Sequence, residues 1–533
     1  MSTNSFQGAL QFDDLLYPYT HPLESETTYY YDDILLTGAK AGQKVTLTLE
    51  SQQFRPELEL RRADNLSRIL QFQTGQEAAQ LTFTMKPGVD YVLRVTSENP
   101  QAIGAYTLKT TAGTFNPVPQ YQAETLSQQG RHSWQPYRLG QPITLTYSFM
   151  EKLPSYYKPN RKGQWDDTTS VFKPMTPAQR DAVRLALQAW EKVSGITFKA
   201  VPDDNSVQFR FGTAKEPGLS GWAYYPDAGP LRRGDTWLNH ADRSNRNPLP
   251  GSYGFSTILH EIGHALGLSH PFDEEATLPL AKQTVQYTVM AYDKHPNLPV
   301  DYQPHTPMLY DIPAIQQLYG KNNTTGQGDT VYQWRANKPF IETIYDTSGI
   351  DTVNARNQQQ STWINLKSGQ FSSIGQFHAQ PIYENVAIAF GVIIEHAIGG
   401  AGNDILSGNQ TNNKLIGAWG ADILSGLGGN DQLTGGIGAD IFVFQSTKDG
   451  IDTITDFARG QDRLNVSRLL KSVGYVGADP FLDGVLTATI SQGNTVVSFD
   501  RDGFRGIADA VPFAILENFT NLQKLSHAVK TGL

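Results

Sequence analysis

The stretch HEIGHALGLSH, residues 260–270, decides how this chain folds, because it holds three of the 11 histidines. In a helix, His260 and His264 stand four residues apart, so they lie on one face about one turn from each other. Two imidazoles placed in this way can both reach one metal ion at about 2.0–2.1 Å. The spacing therefore predicts a metal site on a helix.

The remaining residues of the stretch predict a catalytic zinc site. Glu261 lies beside the histidines, where it can accept a proton from the attacking water as a general base. Gly267 predicts an abrupt helix end, since glycine adopts the left-handed conformation, and the chain can then return His270 as a third ligand. Three protein ligands leave one position open, which is typical of catalytic zinc. HExxH alone is also compatible with a solvated helix face, but Gly267 and His270 favour the metal.

Length and composition indicate several globular domains and exclude some classes of function. At 533 residues the chain exceeds a single core. It has no cysteine, which excludes disulfides and thiolate chemistry. A net charge of −9 argues against a nucleic-acid partner. No apolar run reaches the about 18 residues of a membrane span, and the N-terminus lacks the basic and apolar segments of a signal peptide.

Residues 1–112 predict an all-β domain, because apolar and polar residues alternate in segments that begin at Val45, Leu81 and Tyr91. The motifs GQKVTL (42–47), PGVDY (87–91) and GAYTL (104–108) resemble the bacterial pre-peptidase C-terminal (PPC) domain, which implies a β-sandwich. Residues 113–135 are rich in proline and glutamine and predict a linker.

A strand and a helix are predicted after the linker. Residues 143–149 alternate as a strand does. Thr176 and Gln179 predict a capping box with Pro177 at the first helical position, and Gly195 predicts the helix end. An apolar stripe on this helix predicts a core-facing side; it comprises Val183, Leu187, Trp190 and Val193.

The chain resembles the serralysin branch of the metzincins over residues 140–470. The residues that carry the resemblance are HExxHxxGxxH, Pro271 directly after the third histidine, and YTVMAY at 287–292. The resemblance implies that Met290 packs beneath the metal and that Tyr292 is a fifth zinc ligand that can swing to the reaction intermediate. It also implies that substrate lies extended along a strand formed by Trp222, Ala223 and Tyr224.

Five nine-residue units occupy residues 399–443, and glycine opens each of them. They resemble the calcium-binding repeats of RTX proteins, which implies a parallel β-roll in which each unit forms half a coil. Short strands would then face a narrow core; their apolar residues are Ile405, Leu406, Ile423, Leu424 and Leu433. A flexible glycine-rich linker is the alternative, and five units in register argue against it.

Stacking of units two apart predicts two rows of calcium ligands. One row contains Asp404, Asp422 and Asp440, and the other pairs Asn413 with Asp431. The second unit departs from the pattern, since Thr411 replaces the inner glycine and Asn413 the aspartate. A β-branched residue resists positive φ and a neutral amide weakens cation binding, so weaker or absent calcium is expected there.

These resemblances together predict a multidomain protein with α+β and all-β parts. The predicted regions are a PPC-like β-sandwich at 1–112, a linker at 113–135, a metzincin domain at 136–325, and a calcium-binding β-roll with a C-terminal cap at 326–533. The predicted function is a secreted, calcium-dependent zinc endopeptidase. It would act on protein and peptide substrates as a monomer and leave the cell through a type I exporter without an N-terminal signal peptide.

Three alternatives remain open or are disfavoured. The N-terminal domain either keeps the enzyme latent or binds a target, and Asp13, Asp14 and His21 are its candidate zinc-blocking residues. A calcium-folded adhesin with an inactive peptidase domain is the alternative function, which the complete HExxH motif disfavours. Pro271 and the repeats disfavour a metzincin of the astacin type, which typically carries glutamate after the third histidine.

Overall fold

The computed structural model describes residues 4–10, 15–19, 27–37, 42–51, 55–62, 65–75, 78–86, 91–97, 104–111, 114–117, 126–127, 130, 132–157, 171–273, 278, 280–298, 301–506, 509–522, 525 and 528–530. The chain divides into two compact units. One unit comprises Met1–Arg131 and Leu268–Gln283, and the other His132–Gly267 and Thr284–Leu533. Among the described residues, no helix is long and apolar enough to cross a membrane.

The first unit is built from antiparallel strands. They are β1 Asn4–Leu10, β2 Leu15–Tyr19, β3 Thr27–Thr37, β4 Lys44–Glu50, β5 Pro56–Arg62, β6 Asn65–Thr74, β7 Ala78–Thr84, β8 Tyr91–Ser97, β9 Gly104–Thr110 and β10 Thr114–Pro117. One sheet has the order β1-β9-β4-β7, and a second has the order β10-β3-β8-β5-β6 with β2 beside β3. Strand β10 lies within 113–135, so part of the predicted linker pairs with β3.

The predicted alternation in this unit is confirmed in strands β4, β7 and β8. Val45, Leu81 and Tyr91 are buried, and side chains from both sheets meet in one apolar cluster. Alternating residues of a strand point to opposite faces, so each strand contributes one apolar face to this core. Residues 87–90 of the PGVDY motif lie outside the described residues, and the PPC resemblance stays a prediction.

The second unit begins with a five-stranded sheet of order β12-β11-β13-β15-β14. Its strands are β11 Ile143–Phe149, β12 Ile196–Ala200, β13 Phe209–Ala214, β14 Gly221–Ala223 and β15 Asp235–Asn239. The helices that follow in this part are α1 Pro177–Val193, α2 Tyr253–Leu266 and α3 Asp311–Tyr319, with 3₁₀ helices at Arg243–Arg246 and, in the first unit, Leu280–Lys282. Strand β14 is the antiparallel edge, while the other pairings are parallel.

Helix α1 forms as its sequence predicts. The capping box of Thr176 and Gln179 is present, and the stripe is buried, with Trp190 donating Nε1–H to the carbonyl of Leu259 in α2 at 3.3 Å. The helix ends at Val193 with Ser194 as its C-cap, so Gly195 follows the helix end as predicted, but it does not adopt the left-handed conformation. Gly195 is instead a close approach, since a Cβ there would clash with the carbonyl of Tyr319.

The C-terminal part is all-β apart from α4 Ser467–Ser472 and a 3₁₀ helix at Gly503–Arg505. Its strands are β16 Val331–Tyr332, β17 Glu342–Ile344, β18 Thr352–Asn354, β19 Trp363–Asn365, β20 Phe371–Ser372, β21 Gln376–Phe377, β22 Gln380–Pro381, β23 Val386–Ile388, β24 His396–Ile398, β25 Ile405–Ser407, β26 Lys414–Trp419, β27 Ile423–Ser425, β28 Gln432–Ile437, β29 Ile441–Val443, β30 Asp452–Ile454, β31 Arg463–Asn465, β32 Leu486–Ser491, β33 Asn494–Phe499, β34 Val511–Leu516 and β35 Val529–Lys530.

Successive repeat units alternate between two sheets, β16-β18-β24-β26-β28-β30-β34-β33-β32 and β19-β25-β27-β29-β31-β35. Their strands pair in parallel, except that β33 pairs antiparallel with both β34 and β32. Leu406 pairs with Leu424, which pairs with Phe442, and all three are fully buried. The expectation that Ile405 faces the core is wrong, because its side chain is 41% exposed. Neighbouring strand residues point to opposite faces, so each unit buries its eighth residue and turns its seventh residue away from the core.

Candidate metal centre

Helix α2 presents the histidines and ends where the third one is needed. Ser252 caps its start by accepting a hydrogen bond from the backbone N–H of Phe255 at 3.3 Å. Gly267 ends it in the left-handed region with φ +104°. A Cβ at this glycine would lie 2.6 Å from the carbonyl oxygen of His132, so the turn that precedes His270 requires glycine.

The structure brings the three predicted ligands together. His260, His264 and His270 each offer a ligand atom, and these atoms all lie within 4.8 Å of one another. The rings of His260 and His264 meet edge to face, with centroids 4.6 Å apart. Histidine nitrogens that converge in this way can hold one zinc ion.

Hydrogen bonds on the far side of two rings orient them. Nδ1 of His260 lies 2.9 Å from the carbonyl oxygen of Val289, which can only accept, so Nδ1 carries the proton. Nδ1 of His270 lies 3.2 Å from a carboxylate oxygen of Asp273. Burial lowers the pKa of His270, and the nearby carboxylate of Asp273 partly offsets this decrease. With the proton on Nδ1, each of these two rings has its Nε2 lone pair free for a metal. Hydrogen-bond partners usually fix the tautomer of metal-bound histidines in this way.

Glu261 lies on the same helix, next to a cavity of about 300 Å³. The side chain is almost completely buried, and this burial raises the pKa of its carboxyl to about 8. The cavity is lined by residues that include Gly221, Thr257, His260, Glu261, Val289 and Tyr292. A Cβ at Gly221 would lie 3.0 Å from Cγ of Glu261, so glycine lets strand β14 pass close to the carboxylate.

Met290 packs against helix α2 at Gly263, and its role beneath the metal stays a prediction. It is fully buried, and a Cβ at Gly263 would lie 2.5 Å from its sulfur. Tyr292 is 66% exposed, and its ring centroid lies 5.6 Å from that of His260. The structure therefore places Tyr292 beside the ligand histidines.

Asp311 is a site-supporting residue that the sequence analysis did not single out. Its fully buried carboxylate accepts hydrogen bonds from Thr288 Oγ1 at 2.6 Å, Val289 N at 2.8 Å and Met308 N at 2.7 Å. Burial raises the pKa of the Asp311 carboxyl to about 7, although the three hydrogen bonds lower this pKa by favouring the ionised form. Asp311 thereby holds Val289, the residue whose carbonyl orients His260.

The predicted substrate residues lie on edge strand β14 and just after it. Trp222 stacks on Trp237 with centroids 5.8 Å apart, and Trp222 and Tyr224 pack against the apolar cluster around Trp237. The flanking Tyr224 N–H donates to the carbonyl of Asp235 at 3.0 Å. The side chains of Trp222 and Tyr224 are therefore engaged with the sheet, and their role in binding substrate stays a prediction.

The repeat aspartates form two ladders in which the carboxylate accepts a hydrogen bond from the backbone of the unit two positions earlier, 18 residues back. Oδ1 of Asp422 accepts from Asp404 N at 2.7 Å, and Oδ1 of Asp440 from Asp422 N at 2.9 Å. On the other edge, Asp431 accepts from Asn413 N at 2.7 Å. The structure therefore brings together the rows expected from the period.

Two further aspartates continue these ladders beyond the regular units. Asp452 accepts from Asp431 N at 3.1 Å, and Asp462 from Asp440 N at 3.0 Å. The repeat period could not reveal these two aspartates, because they follow their hydrogen-bond partners by 21 and 22 residues, whereas the regular units are stacked at a spacing of 18 residues. Burial raises the pKa of Asp452 to about 8, with the charge of Asp431 adding to it.

Comparison with known proteins agrees with this arrangement. Residues 166–320 match the family model of matrixin, and residues 310–499 match that of the peptidase M10 serralysin C terminal. Serralysin G of Dickeya chrysanthemi is 36% identical over 396 residues, which cover 68% of this chain and 81% of that protein. Metalloprotease AprA of Pseudomonas entomophila is 37% identical, with 69% and 80% covered.

A serralysin of Photorhabdus laumondii is 40% identical over 356 residues, which cover 61% of this chain and 71% of that protein. These relatives, together with the convergence of His260, His264 and His270, establish the family of this chain. The chain belongs to the serralysins, a family of metzincin zinc metalloendopeptidases.

Proposed function

We propose that this protein is a secreted, calcium-dependent zinc endopeptidase whose metal is held by His260, His264 and His270. The observation that carries the proposal is the convergence of their ligand atoms within 4.8 Å. The donor set fits zinc, since it offers three imidazoles, two of them with the tautomer fixed by a hydrogen bond, and no other charged ligand is required. When bound, the zinc ion supplies Lewis acidity that acidifies water and polarises a peptide carbonyl.

Glu261 moves the proton in the proposed mechanism. Burial raises the pKa of its carboxyl to about 8, and a zinc ion on the histidines would lower this pKa and favour the ionised form that can accept a proton. Glu261 accepts the proton of the water that attacks the peptide carbonyl and then donates it to the leaving amine. The cavity beside it has room for the residue on one side of the cleaved bond.

Strand β14 and Tyr292 position the substrate in this proposal. An extended peptide adds antiparallel to the exposed edge of β14, which is the mode by which sheet edges bind peptides. The exposed Tyr292 phenol contacts the carbonyl oxygen as charge develops on it, where one donor contributes about 10²–10³-fold in rate. Tyr292 is also the candidate fifth zinc ligand.

Calcium is proposed to bind between the stacked turns of the repeats. Oδ2 of Asp422, Asp431 and Asp440 is buried and has no hydrogen-bond partner among the described residues. A buried carboxylate oxygen without a donor is costly, and a cation would satisfy it. Asn413 differs, since its amide bonds to Asn409 and to the carbonyl of Glu395, which supports the weaker site expected there.

The test of the proposed hydrolysis is Glu261→Gln. We expect kcat on casein to fall about 10²–10⁴-fold, the contribution of a general base, while the zinc content stays near one per chain. Glu151→Gln is the matched control, because this glutamate is 64% exposed on the surface. Full cleavage by Glu261→Gln would reject the mechanism.

The N-terminal region is proposed to act on the enzyme or on its targets, and both alternatives stay open. The candidate blocking residues Asp13, Asp14 and His21 lie outside the described residues. A specific protease site placed within 113–135 separates the alternatives. Latency predicts higher casein turnover after the cut, and a targeting role predicts unchanged turnover.

Export through a type I exporter is proposed from the glycine–aspartate repeats. The adhesin alternative is not favoured, because the chain keeps all three histidines and Glu261 and its relatives are named as proteases.

A further inference from the structure

The segment that carries Met290 and Tyr292 is a loop whose two legs run side by side. We define it as the 286–297 loop. Just before it, Val285 N–H donates to the carbonyl of Asp293 at 2.9 Å, which closes the loop on itself. Tyr292 directly precedes Asp293 within the closed segment, and its position therefore depends on how both legs are held.

One residue from the C-terminal part contacts both legs. The Glu384 carboxylate oxygen Oε2 accepts from Gln286 Nε2 at 3.3 Å on the incoming leg and from Asn297 Nδ2 at 2.9 Å on the outgoing leg. The backbone carbonyl of Glu384 lies 3.0 Å from Nε2 of His295. Glu384 thus joins three points of the loop that are distant in sequence from it.

His295 is held in one tautomer by these contacts. Its side chain is buried, and burial lowers its pKa, so the ring is neutral near pH 7. Asn297 N–H donates to Nδ1 at 3.1 Å, so Nδ1 accepts and Nε2 carries the proton toward the carbonyl of Glu384. Both ring nitrogens are therefore used for fixing the outgoing leg.

Glu384 is itself held in an unusual backbone conformation. Its φ is +52°, in the left-handed region that non-glycine residues seldom occupy. Its N–H donates to Ser373 Oγ at 3.0 Å, and the next residue, Asn385, is fully buried and donates to the carbonyls of Phe340 and Ile374 at 3.1 Å each. Such a conformation persists only where the surroundings determine it.

We propose that Glu384 is a positioning residue for peptide hydrolysis, because its carboxylate and carbonyl clamp both legs of the loop that presents Tyr292. The inference rests on the proposed function, in which Tyr292 contacts the reacting carbonyl. It makes a residue outside the catalytic domain part of the geometry of that domain's active site.

The test compares Glu384→Asn with Tyr292→Phe in the full-length protein, on a fluorogenic peptide. Asparagine tolerates the left-handed backbone but is one methylene too short to reach both legs. We expect kcat to fall about tenfold, the effect of a small misplacement, with KM and zinc content within twofold. Glu384→Gln keeps an acceptor of the same reach and should restore most of kcat. Gln492→Asn is the matched control, since Gln492 is exposed with φ +50°.

A double-mutant cycle separates positioning from general stability. If Glu384 acts through Tyr292, the double variant should match Tyr292→Phe alone, which is expected to lose about a hundredfold in kcat. An unchanged kcat for Glu384→Asn, or losses that multiply to about a thousandfold, would overturn the inference.

If Glu384→Asn does not fold, Asn297→Ala is measured in the same cycle with the same criteria. A wild-type kcat for Tyr292→Phe would refute the proposed role of Tyr292 and with it the clamp, whereas cleavage by Glu261→Gln would reject the hydrolytic mechanism itself.

Discussion

Removal of calcium is expected to leave the repeat region most stable in acid and least stable above neutral pH. Burial raises the pKa of Asp422 to about 7 and that of Asp440 to about 6. A carboxyl whose folded pKa exceeds its unfolded value stabilises the fold fully below the unfolded pKa of about 3.9, and this contribution is lost as pH rises through the folded pKa. The loss should therefore occur between about pH 4 and 7.

The magnitude follows from the size of these shifts. The pKa of Asp422 moves from 3.8 to about 7, and each unit corresponds to about 1.4 kcal/mol. Ionisation of this buried group at pH 8 then costs on the order of 4 kcal/mol, and that of Asp440 about 3 kcal/mol. A domain is stable by about 5–15 kcal/mol, so these two groups alone bring the calcium-free repeats close to unfolding.

The assay is calorimetric unfolding of Glu261→Gln protein, which cannot digest itself, with calcium chelated and zinc restored. Asp422→Asn removes one charge, so its calcium-free melting temperature at pH 8 should exceed that of the parent, while its calcium affinity should fall. Asp181→Asn, whose side chain is 71% exposed, serves as the control. A calcium-free repeat region that becomes more stable from pH 5 to pH 8 would refute this reasoning.

Three further variants test particular contacts. Gly267→Ala should lower stability by about 2 kcal/mol or more, since φ is +104° and the new Cβ meets the carbonyl of His132; an unchanged melting temperature would contradict this. Asn413→Asp should add one calcium ion per chain in titration calorimetry, and an unchanged stoichiometry would count against the site. Asp311→Ala should cost about 3–5 kcal/mol and speed zinc loss to a chelator, because it strands the buried Val289 N–H and its neighbours; zinc loss at the parental rate would show that Asp311 does not support His260.

The parts of the site that the sequence predicts are those encoded within a few residues. His260, Glu261 and His264 are brought together by one helix, and Gly267 turns the chain by its own conformational freedom. Helical spacing and glycine geometry hold in any protein, so these residues could be identified without knowledge of the rest of the fold.

Contacts between distant segments could not be predicted in this way. Asp311 and Glu384 act on residues 22 and 98 positions away, and nothing in their immediate sequence marks them as partners of the Met290 segment. Their positions depend on how helix α3 and the C-terminal strands pack. A carboxylate that supports an active site from elsewhere has the same local sequence as one on the surface, so only the three-dimensional structure separates the two.

The second repeat unit shows how a turn of the repeat region can keep its backbone conformation without a carboxylate. Oδ1 of Asn409 accepts from Thr411 N at 2.9 Å and from Thr411 Oγ1 at 2.8 Å, and it also accepts from Asn413 Nδ2 at 3.2 Å. Oδ1 of Asn413 accepts from Asn409 N at 2.8 Å, so the amides satisfy each other within the turn. Thr411 and Asn413 therefore depart from the repeat pattern together. The hydroxyl and the amide form a hydrogen-bonded network in the place where Asp422, Asp431 and Asp440 of the last three units leave a carboxylate oxygen without a donor. A turn of this kind needs no cation to be stable.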